Sequence, residues 1–205
     1  MKNIRKACEK AGRKREDVTL IAVSKTKPVS DIREAMACGI TVFGENKVQE
    51  IRDKTAEITE PLSWHMIGHL QANKVKYLPG VACMIHSVDN RKLADEIEKQ
   101  AAKHNLVMDV LVEVNMAHED TKFGLSPDEA IDFVKEISTL PHLNIRGFMT
   151  IAPYTEDPDS NRVYFKGLRE LKDQVNSLSI PGVHMDTLSI SLDWKSGSAG
   201  MPRPI

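Results

Sequence analysis

Short apolar runs alternate with longer amphipathic segments along most of this chain, and that alternation limits its possible folds more than any other feature. Strands are predicted for the runs at residues 18–25, 41–46, 63–68, 82–89, 107–115, 144–151 and 184–191. Helical spacing is found between most of them, at residues 28–38, 47–59, 71–78, 90–103, 126–138 and 158–178. Alternating strands and helices are typical of parallel sheets covered by helices. The sequence therefore predicts an α/β fold, either a closed (β/α)8 barrel or an open doubly wound sheet.

The ends of the predicted strands favour the barrel. Polar side chains follow nearly every carboxyl end, namely Lys25, Glu45, Asn46, His69, Asp89, Asn115, Thr150, Ser189 and Ser191. In a barrel those ends form a ring on one face, where barrel sites are built. Neither GxGxxG after a strand nor GxxxxGK[ST] occurs, which argues against a dinucleotide or nucleoside-triphosphate fold. We therefore predict a TIM (β/α)8-type barrel from which the last β/α unit is missing.

Length, charge and cysteine spacing exclude several classes of protein. A chain of 205 residues with a net charge of −1 suits a single globular domain and predicts no nucleic-acid partner. No run approaches the roughly 20 apolar residues that cross a bilayer, and the basic N-terminus lacks the apolar segment of a secretory signal. The widely spaced cysteines Cys8, Cys38 and Cys83 fit reduced thiols. We expect a cytoplasmic monomer without membrane contact.

The first predicted strand ends on an amine, in the stretch LIAVSKTKPVSD at residues 20–31. If Ala22 and Ser24 face one layer of the fold, Val23 and Lys25 face the other, which is the interior in a small barrel. Burial disfavours the charged form of a lysine, so an amine held there can act as a nucleophile toward an aldehyde. The alternative is an ordinary lysine where the chain reaches the surface, and for such a stretch alone that is the commoner case.

Other residues at strand ends can line the same mouth. Asn46, in FGEN, can hydrogen-bond a ring substituent or cap the following helix. Met149, in GFMTIAP, can lie against a flat ligand or belong to the core. Ser189, in DTLSIS, stands where barrels commonly bind phosphate, or is a satisfied strand-end hydroxyl. His65 and His69 flank a glycine in a strand-to-loop stretch, so we expect packing or hydrogen bonding at the rim and no metal site.

Together these stretches resemble one known family. VTLIAVSKTKP, FGEN, WHMIGHLQANK, IHSVD, GFMTIAP and DTLS occur in the order and spacing of the pyridoxal 5'-phosphate (PLP) homeostasis proteins, which are PLP-binding proteins. The resemblance runs from about residue 4 to residue 189. It implies a single barrel of the alanine-racemase N-terminal type, also called PLP fold type III.

The resemblance also implies a role and a set of site residues. By this resemblance Lys25 would carry PLP as a Schiff base, Asn46 and Met149 would line the cofactor, and Ser189 would contact its phosphate; no catalytic residue and no metal is implied. Because members of the family are not established enzymes, the implied function is non-catalytic PLP binding in vitamin B6 homeostasis. PLP-dependent apo-enzymes are the implied partners.

Two other functions stay open on the residues alone. One is a small PLP-dependent amino-acid racemase or lyase that uses Lys25. The other is a class I aldolase-like barrel, in which the lysine attacks a substrate carbonyl without a cofactor. Racemisation requires two bases on opposite faces of the substrate carbon, and the sequence offers no obvious second base, so we favour the PLP carrier.

The end of the chain departs from the family. After DTLS the sequence ISLDWKSGSAGMPRPI has no periodicity, Ser191 stands where the family has a glycine, and the last family strand with its arginine is absent. We expect residues 1–190 to form the PLP-binding barrel and residues 191–205 to form an irregular tail, the product of a shifted reading frame or an altered C-terminus. Lost contacts to the phosphate and the pyridine would weaken PLP binding by orders of magnitude.

Overall fold

A computed structural model describes residues 2–119 and 123–192, which form one sheet of seven strands. All neighbouring strands are parallel and follow one another in chain order. The strands are β1 (Ala22–Val23), β2 (Val42–Glu45), β3 (Ser63–Met66), β4 (Ala82–Val88), β5 (Met108–Glu113), β6 (Leu143–Ala152) and β7 (Thr187–Leu192). The α-helices are α1 (Lys2–Lys10), α2 (Val29–Ala37), α3 (Val48–Glu57), α4 (Arg91–Lys103), α5 (Pro127–Ile137) and α6 (Arg162–Ser177), and 3-10 helices cover Arg15–Asp17, Ala72–Tyr77 and Pro158–Asn161. A doubly wound sheet reverses its strand order, so this order confirms the barrel-type α/β fold.

Helix ends follow signals that are visible in the sequence. Gly39 adopts a φ of 83° just past the end of α2, a conformation that glycine adopts without steric cost. α5 begins with the predicted capping box, in which the Glu129 carboxylate accepts hydrogen bonds from the backbone N–H and the hydroxyl of Ser126. Asn90 caps α4 by accepting a hydrogen bond from the backbone N–H of Leu93. These local signals explain why the predicted helix boundaries agree with the structure to within a few residues.

The apolar core lies between the sheet and the helices, on what we call the outer face of the sheet. Its larger cluster contains fully buried side chains from strands and helices, among them Ile85, Val110, Phe148, Ile97 and Val134. A smaller cluster covers β2 and β3 and consists of Ile32, Phe43, Ile58 and Trp64. Burial of one such side chain stabilises the fold by roughly 1.5–3 kcal/mol. The outer face is therefore where this fold gains its stability.

The opposite side of the sheet, which we call the inner face, carries the alternate residues of each strand. The strand register aligns Val23 with Gly44 and Gly44 with His65 across β1, β2 and β3. On the same face, Nδ1 of His86 in β4 lies 2.9 Å from Oγ of Ser189 in β7, although these strands are not neighbours. A contact across the face requires the sheet to curl, so the strands form a half-barrel around it.

The first strand is shorter than the sequence predicts. Of residues 18–25, only Ala22–Val23 pair with β2. Leu20 is exposed, and the chain turns after β1, where the backbone N–H of Lys27 donates to the carbonyl of Ser24. Among the described strands β1 lies at an edge, and an edge strand has ladder partners on one side alone. The predicted length is therefore wrong, although the strand lies where the sequence places it.

The end of the predicted domain is only partly described. β7 runs to Leu192 and so continues past the predicted boundary at residue 190. Residues 193–205, which make up most of the predicted irregular tail, lie outside the described residues. The domain boundary and the tail therefore stay predictions.

Two simpler predictions concern thiols and membranes. Cys8, Cys38 and Cys83 are all unpaired, as the sequence predicts. Across residues 2–119 and 123–192, none of the helices has both the length and the apolar character that crossing a bilayer requires.

Candidate functional site

Lys25 lies just past the carboxyl end of β1, at the mouth of the half-barrel. Its neighbour Ser24 is buried toward the helices, and Lys25 itself stands in the turn that follows β1, next to the exposed edge at Val23. The Lys25 side chain is half-buried and makes no hydrogen bond or ion pair with any described residue. Val23 is 49% exposed, which shows that the inner face is open at this edge. The candidate amine is thus accessible and has no partner in the described part of the chain.

Behind Lys25, the outer face holds a buried ion pair. Nζ of Lys54 in α3 lies 2.6 Å from Oε1 of Glu45, and the two side chains are 8% and 0% exposed. Glu45 follows Gly44 in β2 and therefore points toward the helices, not into the mouth where its strand-end position suggested a site. Burial raises the pKa of Glu45, and hydrogen bonds from Lys54 and Ser24 act against that shift. The pair therefore supports the chain next to Lys25 from the outer side.

Asn46 directly follows β2 and is half-buried. Its side chain makes no hydrogen bond with a described residue, and the N-cap of α3 is Lys47, so the capping alternative for Asn46 is wrong. Gly68, beyond β3, packs so closely against Asn46 that a Cβ at position 68 would lie 2.6 Å from the Asn46 carbonyl oxygen. A glycine is therefore required there, and this close approach holds the backbone of Asn46 in place.

Met149 and Ser189 are aligned on the inner faces of β6 and β7. Met149 is 2% exposed and belongs to neither outer-face cluster, so it lies in the interior of the half-barrel. Ser189 bonds to His86, but a serine hydroxyl has one donor and two acceptor sites. Ser189 therefore retains capacity for a ligand, and its role as a phosphate ligand stays a prediction.

A line of hydrogen-bonded side chains crosses the inner face from β3 to β7. Nδ1 of His65 lies 2.8 Å from Nε2 of His86, whose other nitrogen contacts Ser189. Burial, followed by the proximity of His65, lowers the pKa of His86 to about 3, and burial also lowers the pKa of His65. Both rings are therefore neutral at pH 7, so each has one donor and one acceptor nitrogen. When Nδ1 of His86 donates to Ser189, the serine hydroxyl is free to donate to a ligand.

Glu113 places a carboxyl group on the inner face of β5. Its flanking residues Val112 and Val114 belong to the outer-face cluster, and Glu113 is aligned with Met149 in the register. The side chain is 5% exposed and makes no hydrogen bond within the described chain. Burial raises the pKa of Glu113 to about 7, and the nearby charge of Asp89 adds to the shift. The half-barrel therefore holds a group that exchanges a proton near neutral pH.

The two histidines that the sequence places four residues apart have separate contacts. His65 bonds to His86, whereas the ring of His69 stacks on Phe123 with centroids 3.8 Å apart and an interplanar angle of 15°. Nδ1 of His69 also lies 3.9 Å from Oδ2 of Asp89. His69 therefore joins the loops that follow β3 and β5 at the rim of the half-barrel.

Sequence reasoning missed Lys54, His86 and Glu113, although signals for two of them were present. Lys54 lies on the same face of α3 as the buried Val48 and Ile51. A charged side chain on a buried helix face requires polar partners, so its position in the sequence pointed to a buried ion pair. Glu113 interrupts a strongly apolar strand in the same manner. The role of His86 depends on Ser189, 103 residues away in the chain, and no local pattern reveals such a contact.

Comparison with known proteins decides the family. The family model for the alanine racemase N-terminal domain matches residues 1–204, which extends past the predicted boundary at residue 190. The pyridoxal phosphate homeostasis protein of Aquifex aeolicus is 45% identical over 189 residues, covering 90% of this chain and 83% of that protein. The chain belongs to the pyridoxal phosphate homeostasis protein family. The resemblance that the sequence motifs indicate is therefore confirmed.

Solved structures agree with membership in the pyridoxal phosphate homeostasis protein family. PipY of Synechococcus elongatus, in a structure with PLP bound, has a TM-score of 0.78 and 27% identity, covering 92% of this chain and 96% of PipY. An alanine racemase of Clostridium difficile has a TM-score of 0.72 over 93% of this chain and 48% of the racemase. At 13% identity that second likeness concerns the fold alone.

Proposed function

We propose that this chain binds PLP through the amine of Lys25 and serves PLP homeostasis without converting a substrate. The observation that carries the proposal is the half-buried Lys25 side chain, which has no partner in the described part of the chain and lies at the open mouth of the half-barrel. The name of the Aquifex relative and the PLP in the PipY structure support the choice of ligand.

Covalent attachment at Lys25 requires a neutral amine and the aldehyde of PLP, and no other reactant. With PLP bound, the amine nitrogen of Lys25 would take the aldehyde carbon, a C=N bond would replace the C=O bond, and the aldehyde oxygen would leave as water with the two hydrogens of the amine. Addition of water reverses the reaction, so PLP bound in this way can be released, as homeostasis requires.

The neighbouring residues fit the rest of the ligand. Asn46 has free hydrogen-bonding groups for a ring substituent, and Met149 offers an apolar surface for the ring. Ser189, with His86 behind it, has a hydroxyl available to a phosphate oxygen. We assign these three residues to PLP binding and assign none to catalysis.

The wider role follows from reversible binding. A protein that holds PLP and releases it suits transfer to PLP-dependent apo-enzymes, which we propose as partners. The unpaired cysteines support a cytoplasmic location. We propose that the carrier acts as a monomer.

Titration with PLP tests the proposal, with Lys25→Ala as the variant and Lys27→Ala as the matched control. Lys27 is two residues away, but its side chain is 60% exposed and pairs with Asp31. We expect wild type and Lys27→Ala to develop the absorption band of a protonated Schiff base, and Lys25→Ala to lose it. Binding to the native state must also raise the melting temperature, because PLP at 100 times its Kd stabilises the fold by about 2.7 kcal/mol.

The outcomes separate the three functions. A band that survives in Lys25→Ala contradicts attachment at Lys25. Conversion of amino-acid enantiomers by the PLP-loaded protein supports the racemase or lyase instead of the carrier. A wild type that shows no band, but forms a borohydride-reducible adduct with a carbonyl substrate, supports the aldolase-like reaction.

A further inference from the structure

A network of charged and polar groups encloses the backbone on both sides of Lys25. Its centre is Lys54, and its other members are Ser24, Glu45 and Glu50; we call it the Lys54 network. Nζ of Lys54 lies 2.8 Å from the carbonyl oxygen of Ser24, 2.6 Å from Oε1 of Glu45 and 3.0 Å from Oε2 of Glu50. The network is thus built on α3 and β2 but reaches the segment that follows β1.

The three contacts of the Lys54 nitrogen indicate a structural role for it, not a role as the amine that binds PLP. A lysine ammonium has three N–H donors, and here each has an acceptor within 3.0 Å. Its side chain is also only 8% exposed. An aldehyde that reacted with Lys54 would break three charge-assisted contacts and leave Glu45 buried without its cation. Lys54 is therefore a poor competitor for PLP, although it lies close to Lys25 in space.

The same network fixes the backbone around Lys25 from two directions. On the N-terminal side, the Ser24 hydroxyl donates to Oε1 of Glu45 at 2.6 Å, and the Ser24 carbonyl accepts from Lys54. On the C-terminal side, the backbone N–H of Thr26 donates to Oε2 of Glu50 at 2.7 Å. The peptide unit before Lys25 is therefore anchored to the Lys54 ammonium itself, and the peptide unit after Lys25 is anchored to the Glu50 carboxylate, which Lys54 holds in place.

Thr26 shows that this anchoring imposes a conformation. Its φ is 62°, in the left-handed region that a β-branched residue rarely adopts. Such a conformation costs of the order of 1–3 kcal/mol and persists where surrounding contacts hold it. The hydrogen bond to Glu50 is the side-chain contact that holds the Thr26 backbone N–H. Although burial acts to raise the pKa of Glu50, the hydrogen bonds from Thr26 and Lys54 keep it below its ordinary value.

We propose that the Lys54 network is a positioning device that aims Lys25 into the half-barrel and so directs PLP to this lysine rather than to Lys27 or Lys54. The inference rests on the proposed function, since it concerns the same amine. Lys27 is the nearest competitor in the sequence; its backbone N–H donates to the Ser24 carbonyl, but its side chain is exposed and pairs with Asp31 outside the network. Selection of one lysine among three then follows from backbone anchoring and not from the amine alone.

Glu50→Gln is the main test variant, because it keeps the size of the side chain, while its amide oxygen accepts the Thr26 N–H less strongly than a carboxylate does and no longer pairs with the Lys54 ammonium. Glu96→Gln is the matched control. Glu96 is a glutamate of similar exposure, 26% against 22% for Glu50, and it has its own lysine partner, Lys99, on α4. A Glu45→Leu/Lys54→Met double variant removes both charges of the buried pair together with the bonds they make to Ser24 and Glu50, and it costs less than leaving one charge unpaired.

The measurements are the Kd for PLP from absorbance and the distribution of borohydride-reduced PLP over Lys25, Lys27 and Lys54 at one equivalent of PLP, read by peptide mass spectrometry. We expect wild type and Glu96→Gln to carry the label on Lys25. For Glu50→Gln and the double variant we expect a Kd about tenfold weaker and label shared with Lys27, while both free proteins stay folded at the temperature of the titration. A residue that only stabilises the fold would not change the share of PLP that each lysine carries.

Two results overturn the inference in different ways. If wild type labels Lys25 and both variants do so with the same Kd, the positioning role is wrong while the proposed function stands. If wild type itself carries no label on Lys25, the proposed function fails and the positioning role fails with it.

Discussion

The two faces of the sheet follow different rules. The outer face is packed with fully buried apolar side chains such as Ile85 and Phe148, and the charged residues Lys54 and Glu45 enter it as a tight pair. The inner face of the same strands carries histidines, a buried Glu113 and hydroxyl groups. One face therefore supplies stability, while the other holds polar groups that a stable core would exclude.

This difference indicates that the inner face retains buried polar groups for ligand binding at a cost in stability. A polar group buried with few partners lowers stability, and such groups persist where binding requires them. On the inner face, burial raises the pKa of Glu113, which makes no hydrogen bond within the described chain. Burial also keeps His86 neutral by lowering its pKa. Changes on the outer face should therefore cost stability, whereas selected changes on the inner face should increase it.

The largest expected effect is on the outer face. Lys54→Met leaves the Glu45 carboxyl buried without its cation, and breaking such a pair costs about 3–5 kcal/mol. The Glu45→Leu/Lys54→Met double variant replaces both charges with apolar groups and should lose far less. Urea unfolding measures both free energies. A double variant as unstable as the single one would show that the pair itself, not the unpaired carboxyl, is what matters.

The second-largest expected effect is a gain in stability when Glu113 on the inner face is replaced. The pKa of Glu113 is about 7 in the folded state against an ordinary value of 4.5, so between these values the folded state holds a proton that the unfolded state has lost. Wild-type stability therefore falls as pH rises through this window. We expect Glu113→Gln to be more stable than wild type by roughly 3 kcal/mol at pH 8 and equal to it near pH 4.5. A difference that does not vary with pH would contradict the assignment.

A somewhat smaller effect is expected at His86, with the opposite dependence on pH. The folded state keeps His86 neutral down to about pH 3, whereas the unfolded chain takes up a proton below its ordinary pKa of 6.5. Wild type should therefore lose stability as pH falls below 6.5, by up to about 1.4 kcal/mol for each pH unit. His86→Gln should lose less between pH 6.5 and 5 in thermal or urea unfolding. Parallel curves for the two proteins would show that His86 is not buried as described.

The smallest effect is expected at the amino end of the inner face. Arg146 lies 2.8 Å from Asp109 and 2.7 Å from Asp186, but these side chains are roughly a third or more exposed. Water screens such pairs, so Arg146→Met should cost about 1 kcal/mol, and less in high salt. The Kd for PLP should not change, because Arg146 precedes the strand end that faces the mouth. A weaker Kd would show that the two ends of the half-barrel are coupled.

Much of the fold could be predicted from the sequence because its signals are local. The alternation of apolar runs and helical spacing indicated all seven strands, and the box from Ser126 to Glu129 marked the start of α5. The length of β1 could not be predicted in this way. A strand ends where its neighbours stop pairing, and for Ala22–Val23 that is decided by β2 and by the turn at Ser24.

The residues of the candidate site also fall into two groups, those that the sequence indicated and those that it did not. Lys25, Asn46, Met149 and Ser189 could be proposed from the sequence because they stand at strand ends or in motifs that resemble a family, and their roles stay predictions. The groups that support them were not found, because Lys54 acts through Ser24, 30 residues away, and His86 through Ser189, 103 residues away. Contacts between residues so far apart in the chain form only in the curled sheet, so the sequence alone does not reveal them.

A crystal structure of the protein grown with PLP is the most direct test of the central claim, that the Lys25 amine is the point of attachment. We predict continuous density from Nζ of Lys25 to the aldehyde carbon of PLP, with the ring on the inner face between Asn46 and Met149. PLP joined to another lysine, or bound on the outer face while Lys25 stays free, would contradict the account.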